Sequence, residues 1–255
     1  MPFYHRPPAD RAPLRPVQAP APAPSAPSAQ AQWQARHVGY AVVDLETTGL
    51  SPTTDFILEI GLVLADCAGR VESSWSTLID PGRGVDVGPT RIHGLMAEDL
   101  AGAPALDEVA DLLVSQLAGR AVVAHNARFD VGFLTHALGL RGLLDRGARV
   151  PRVCTMEWSR HFMTTPSRRL TACCQAAGVS IDQHHSALDD ALAAAGLLRH
   201  YLAVGARRGE EPAWSHAMEQ AAVFSGWHWD PSRARAARPR LLARRRPGAL
   251  RDPER

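Results

Sequence analysis

Residues 39–50, GYAVVDLETTGL, place two carboxylates at the end of an apolar run. Ala41, Val42 and Val43 lead into Asp44 and Glu46, and the pattern stops at Thr47-Thr48-Gly49. Side chains two apart on a strand share a face, so Asp44 and Glu46 project together while Val43 and Leu45 take the other face. Carboxylates held about 6–7 Å apart on a rigid strand repel each other unless positive charge lies between them. A hard divalent cation meets that need, because it prefers carboxylate oxygens. Taken alone, Asp-x-Glu is more often just a solvent-exposed strand end, so the rest of the chain has to decide.

Two further stretches carry the same chemistry. HNARFD, 125–130, sets Asp130 in the first turn of a helix directly after a strand, and HHSALDDA, 184–191, sets a His five residues ahead of an Asp at another helix start. Singly, Asp130 and Asp190 could be acids serving a helix dipole. With Asp44 and Glu46 they make four carboxylates, each at a strand end or a helix start, where one edge of a sheet would gather them. Four carboxylates around two Mg²⁺ or Mn²⁺ ions suit phosphodiester cleavage: such a pair activates a water and stabilises charge on both attacking and leaving oxygens. Mg²⁺ retains waters and takes substrate phosphate as ligand, so four protein acids suffice. The water needs a proton acceptor, and a histidine titrates in the right range; His184 and His185 are the candidates.

The elements that must position these groups can be read from periodicity. Strands are expected over 39–46, 56–66 and 71–80, with a tight turn at Gly69-Arg70, forming an antiparallel meander. A Gly/Pro-rich loop follows, PGRGVDVGPTRIHGL. Residues 105–119 carry apolar positions at helical spacing and end at Gly119. RAVVAH, 120–125, is a short buried strand, and Asn126 is placed to cap the helix that begins ARFDVGF. A fifth strand is expected within VPRVCTMEW, a helix over 168–178, and a last helix over 186–205, capped by Ser186 and closed by Gly205. Three antiparallel strands followed by alternating helix and strand predict an α/β fold, with helices flanking a mixed five-stranded sheet.

Composition limits the alternatives. No apolar run is long enough to span a bilayer, and the N-terminus has Arg and Pro but no apolar core of a secretory signal; a cytoplasmic protein without a membrane partner is expected. The cysteines at 67, 154, 173 and 174 include no C-x-x-C, and adjacent residues such as Cys173-Cys174 rarely bridge each other, so reduced thiols are the better reading. The net charge of +2 hides a partition: residues 37–230 hold 15 Arg against 23 Asp and Glu, and residues 231–255 hold nine Arg against two acids. An acidic body with basic ends differs from a uniformly basic nucleic-acid binder. Residues 1–36, rich in Pro and Ala, are expected to be disordered, residues 37–205 to form the domain, and residues 206–255 to be an extension with a disordered Arg-rich tail.

Together DLETTGL, LEIG (58–61), IHGL (92–95), HNARFD and HSALDDA resemble the DEDDh 3′–5′ exonucleases of the ribonuclease H-like superfamily, in particular the epsilon (proofreading) subunit of bacterial DNA polymerase III and its free-standing relatives. The resemblance covers roughly 38–203, with five motifs in order. It implies a ribonuclease H-like fold, metal binding by Asp44, Glu46, Asp130 and Asp190, and His185 as general base. It further implies that Thr47, Gly49, Leu50, His93 and Phe129 line the pocket of the terminal nucleotide. Its substrates would be single-stranded or frayed 3′ ends, with DNA favoured over RNA. Cys154 stands where such enzymes usually have Asp before Thr155, a departure expected to leave catalysis intact. A polymerase or sliding clamp is a further expected partner. Gln220 to Phe224 faintly resembles a clamp-docking peptide, although an amphipathic helix packing Val223 and Phe224 onto the domain explains the same residues better. An RNA-trimming exonuclease and a catalytically idle binding module are the competing readings.

One ambiguity yields to geometry. His184 with Asp189 has the same spacing as His185 with Asp190. On a helix, the row from Asp190 is Ala194, Leu197 and Tyr201, an apolar stripe that must face a sheet, whereas the row from Asp189 is Ala193, Gly196 and His200, expected to face solvent. Asp190 therefore points inward, and its partner five residues back is His185.

Overall fold

The computed structural model describes residues 37–181 and 186–245. The expected disordered start, both candidate bases His184 and His185, and residues 246–255 lie outside the described residues. Strands β1 (Gly39–Thr47), β2 (Ile57–Ala65) and β3 (Val71–Leu78) form the antiparallel meander. Strands β4 (Arg120–Ala124) and β5 (Arg152–Cys154) extend the sheet in parallel from β1, giving the order β3-β2-β1-β4-β5. This is the mixed sheet that the sequence predicts.

Two layers of helix cover it. On one face, Ala41, Val43 and Leu45 of β1 pack with α1 (Leu106–Leu117) and α2 (Ala127–Leu140). On the other, Tyr40 and Val42 pack with α5 (Ala187–Arg208). Coverage on both faces explains why β2, ILEIGLVLA, is buried along its whole length rather than alternating. Each fully buried Leu, Ile or Val there contributes about 1.5–3 kcal/mol of transfer free energy. Asp44 and Glu46 continue the Tyr40–Val42 side of β1, so they emerge on the face of α5.

Several elements differ from expectation. The strand within VPRVCTMEW is only three residues long, and α3 (Thr155–Phe162) begins at once. Its buried residues Thr155, Ser159 and Phe162 fall at i, i+4 and i+7, a helical stripe that was present in the sequence. Asn126 precedes α2, but its side chain makes no capping hydrogen bond. The loop before residue 95 contains a helical turn, Thr90–His93. Helix α4 (Leu170–Ala177) packs on α5, so the Asp189 row does not face solvent: Ala193 is buried, and Gly196 lies against Val179. Helix α5 runs through Gly205 and ends at Gly209, whose φ of 68° supplies the left-handed cap.

Both cores continue past residue 205. Trp214 and Met218 of the α6 (Ser215–Val223) region join the α5 side, and Trp214 Nε1 donates to Tyr40 Oη at 3.0 Å. Trp227, Ala234 and Ala237 join the other core. Within the region expected to be a disordered tail stands α7 (Pro231–Ala237), capped by Asp230, whose carboxylate accepts from Ser232 N–H. It is held to α1 by Arg233 on the buried Asp111 at 3.1 Å and by an Arg240–Glu108 ion pair. At the end of α6, Val223 is exposed while Phe224, just past the helix, packs edge-on with Trp227, so of the two residues expected to pack only Phe224 does. Cys154, Cys173 and Cys174 are buried free thiols, and Cys67 is an exposed one. Among the described residues no helix is long and apolar enough to cross a membrane.

Candidate active site

Strand β1 outruns its parallel neighbour. Pairing with β4 ends at Val42–Val123, which leaves the far end of β1 open on that side. The chain leaves β4 and turns directly into α2, whose first turn carries Asp130. Asp130 Oδ1 accepts the Leu45 N–H at 3.2 Å, replacing the missing ladder partner and fixing Asp130 on the backbone between the two β1 acids, while the close group of carboxylates is Asp44, Glu46 and Asp190.

Asp190 arrives from the other direction. Gly61 of β2 is the register partner of Asp44, and a Cβ at Gly61 would overlap the carbonyl of Ala187. Glycine there lets the start of α5 lie directly on the sheet beside Asp44. One oxygen from each of Asp44, Glu46 and Asp190 then lies within 4.8 Å of the others.

The electrostatics follow from this crowding. The Asp44 carboxyl is pushed well above the usual range, first by burial and then by the charges of Asp130, Asp190, Glu46 and Glu59. Glu46 is raised to about 8, chiefly by burial and by Glu59, with the Arg244 cation opposing. Asp130 is raised to about 7 by burial, against the backbone N–H groups it accepts. In the metal-free protein these groups therefore favour protons, and a divalent cation would relieve the same repulsion. An all-oxygen donor set of this kind fits a hard cation such as Mg²⁺ or Mn²⁺.

Two residues absent from the sequence-derived set complete the site. Glu59 sits opposite Glu46 across β1 and β2 with 0% exposure, a like-charge pair that is unfavourable unless compensated. The compensation is Arg244, whose guanidinium lies 2.8 Å from Glu59 Oε2 and donates to the carbonyl of His93 at 2.8 Å. The segment leading to it is fixed by the end of β3: Leu78 N–H donates to Leu242 O at 2.8 Å, and Leu242 N–H to Thr77 Oγ1 at 3.1 Å. An acid inside a nine-residue apolar strand signals a hidden cation, so Glu59 was findable; nothing in the sequence pointed to Arg244.

The expected pocket residues divide. Leu50 is 84% exposed at the tip of the loop after β1, and Phe129 is partly buried against Phe133 at the start of α2. Thr47 Oγ1 donates to Gly49 O at 2.6 Å, and a Cβ at Gly49 would meet the Asp55 carboxylate, so both residues shape that loop. His93 is 1% exposed. Its Nδ1 accepts from Leu95 N–H at 3.0 Å, leaving Nε2 to donate to Val87 O at 3.0 Å. Gly88 brings the same loop onto β1's end, where a Cβ would overlap the Thr48 carbonyl. His125 is likewise structural: its ring bonds Thr155 Oγ1 at 3.0 Å and Arg168 O at 2.8 Å, and burial lowers its pKa.

Comparison with known proteins bears on this geometry. A family model described as Exonuclease (RNase_T) matches residues 41–198. A PolC-type DNA polymerase III of Clostridium perfringens is 34% identical over 164 residues, covering 63% of this chain and 11% of that protein. The chain thus spans about a tenth of that relative's length. Escherichia coli exonuclease I in complex with a dT13 oligonucleotide superposes with a TM-score of 0.58 at 17% identity, over 68% of this chain and 42% of the other. Exonuclease X in complex with 5′-overhanging duplex DNA superposes with a TM-score of 0.52 at 23% identity, over 72% of this chain and 99% of the other. These two likenesses extend to the fold, which is ribonuclease H-like.

Proposed function

The chain belongs to the exonuclease family whose model it matches, of the DEDDh type, and from that premise we propose that it releases nucleoside monophosphates from DNA 3′ ends with two Mg²⁺ or Mn²⁺ ions. The observation that carries this reading is the convergence of Asp44, Glu46 and Asp190 within 4.8 Å, with Asp130 tied to the intervening Leu45.

In this reading Asp44, Glu46, Asp130 and Asp190 hold the ions. Bound there, the ions would lower the pKa of the attacking water and stabilise charge on the phosphoryl oxygens. The hydrogen bond from Leu45 N–H leaves Asp130 one oriented oxygen, so its geometry is set before any ligand binds. His185, five residues ahead of Asp190, takes the water's proton. Leu50 and Phe129 offer apolar surface to the terminal base and sugar. Thr47, Gly49 and His93 act by shaping the two loops around it, since their polar groups are already engaged within the protein.

DNA as substrate is supported by the solved relatives, which carry a dT13 oligonucleotide and a 5′-overhanging duplex. The PolC-type relative, which holds the matching segment inside a far longer polymerase, supports work alongside a polymerase. A sliding clamp has less support: Gln220 lies on a helix, and Phe224 is engaged with Trp227. The test is a matched assay on single-stranded DNA, a mismatched primer-template and RNA with Mg²⁺ or Mn²⁺. Mononucleotides released from the 3′ end of DNA are expected. Preference for RNA would reassign the substrate, and no metal-dependent release from any substrate would leave the binding-module reading.

A further inference from the structure

Of the arginines expected to attract phosphate, those of the C-terminal tail, three are engaged. Arg233, Arg240 and Arg244 pair with Asp111, Glu108 and Glu59. Exposed positive charge without a counter-ion is also gathered in one cleft elsewhere. An open cleft of about 830 Å³ follows the outer side of α2 and is lined by Arg128, Arg146, Arg149 and Arg152, with His136 and Pro52. All four arginines are exposed, and among the described residues none makes an ion pair. The one acid on its wall, Asp145, is taken by His228 at 2.8 Å. On a body that is acidic over 37–230, four arginines against one acid around one cleft form a local field of opposite sign.

The cleft is lined by elements that also carry residues of the acid site. Arg128 stands two residues before Asp130 on the same helix, and Pro52 two residues past Leu50 on the loop that closes β1. Resting on the reading of that cluster as a nuclease site, we propose that this cleft is the track for the single polynucleotide strand leading to the 3′ end, held by its phosphates. The 14 residues of α2 give a path of about 21 Å at 1.5 Å per residue, room for about six stacked nucleotides at 3.4 Å each. The lining holds no Phe, Tyr or Trp for a base to stack on, so the track grips the backbone and reads no base.

Binding of 5′-labelled (dT)n and (rU)n, n from 2 to 12, is measured by anisotropy in EDTA, so that hydrolysis plays no part. The wild type should gain affinity up to about six nucleotides and then level off. Each phosphate contact adds about 0.7 to the slope of log K against log salt on a single strand. Arg146→Ala/Arg149→Ala/Arg152→Ala should therefore flatten that slope by about 2 and abolish the gain with length. A remote control, Arg70→Ala/Arg207→Ala, should leave the slope unchanged. Melting temperatures of all proteins check that the exposed substitutions spare the fold. An unchanged slope and length dependence in the triple variant would overturn the track, even if the wild type degrades DNA. Strand binding that depends on these arginines in a protein without nuclease activity would uphold the track and overturn the catalytic reading instead.

Discussion

Removing the Arg244 guanidinium should destabilise the protein in a pH-dependent way. In Arg244→Met, Glu59 keeps its position at 0% exposure opposite Glu46 but loses its cation. It must then stay ionised without a partner or take a proton. Holding it protonated at pH 7, against an ordinary value of 4.5, costs about 3.4 kcal/mol at 1.36 kcal/mol per pH unit. Breaking a buried pair by losing one partner costs about 3–5 kcal/mol, and the 17% exposure of Arg244 favours the low end. Both routes converge on a loss of up to about 3 kcal/mol, part of which the wild type already bears, because its own Glu59 is raised by burial. At pH 5 the protonation cost falls to about 0.7 kcal/mol. The sign follows from the raised folded-state pKa: the variant's stability is retained below the ordinary Glu value and lost as pH rises. Urea unfolding in EDTA at pH 5 and pH 7 measures it, and the pH 7 loss should appear as about 6–12 °C in Tm. Adding Glu59→Gln should recover most of the loss, since a neutral pair needs no counter-charge. A loss under about 1 kcal/mol at pH 7, or an equal loss at both pH values, would refute the reasoning.

Other outcomes follow from the same site. Asp44→Ala or Glu46→Ala should abolish hydrolysis while leaving the metal-free fold as stable or more so, and Mg²⁺ should raise Tm more in the wild type than in either variant; near-wild-type turnover would count against metal binding there. With Glu46 raised from 4.5 to about 8 and Asp130 from 3.8 to about 7, these two groups should cost the metal-free wild type no stability below their ordinary values and progressively more as pH rises towards 8. Saturating Mg²⁺ should flatten that decline, which unfolding curves across the range will show. His185→Ala should lower kcat by about 10²–10⁴ with metal affinity retained, whereas His184→Ala should be mild; equal damage from both would show the assigned base to be wrong.

The chain itself determined the sheet and most of the acid cluster, because both rest on local periodicity. Alternation in β1 put Asp44 and Glu46 on one side, and the apolar row Ala194, Leu197, Tyr201 turned Asp190 rather than Asp189 towards the sheet, where all three row residues are buried. The fifth strand was read within VPRVCTMEW, whereas α3 was missed although Thr155, Ser159 and Phe162 stand at helical spacing. What only tertiary structure decided are contacts between residues far apart in sequence. Arg244 meets Glu59 across 185 positions because the end of β3 captures Leu242, and Asp130 meets Leu45 because β4 stops short of β1. No period in the sequence encodes such pairs, since they depend on where separate elements end in space. The same holds for charge: composition placed the cations in the tail, but folding paired three of those with Asp111, Glu108 and Glu59 and gathered four others around a cleft beside α2.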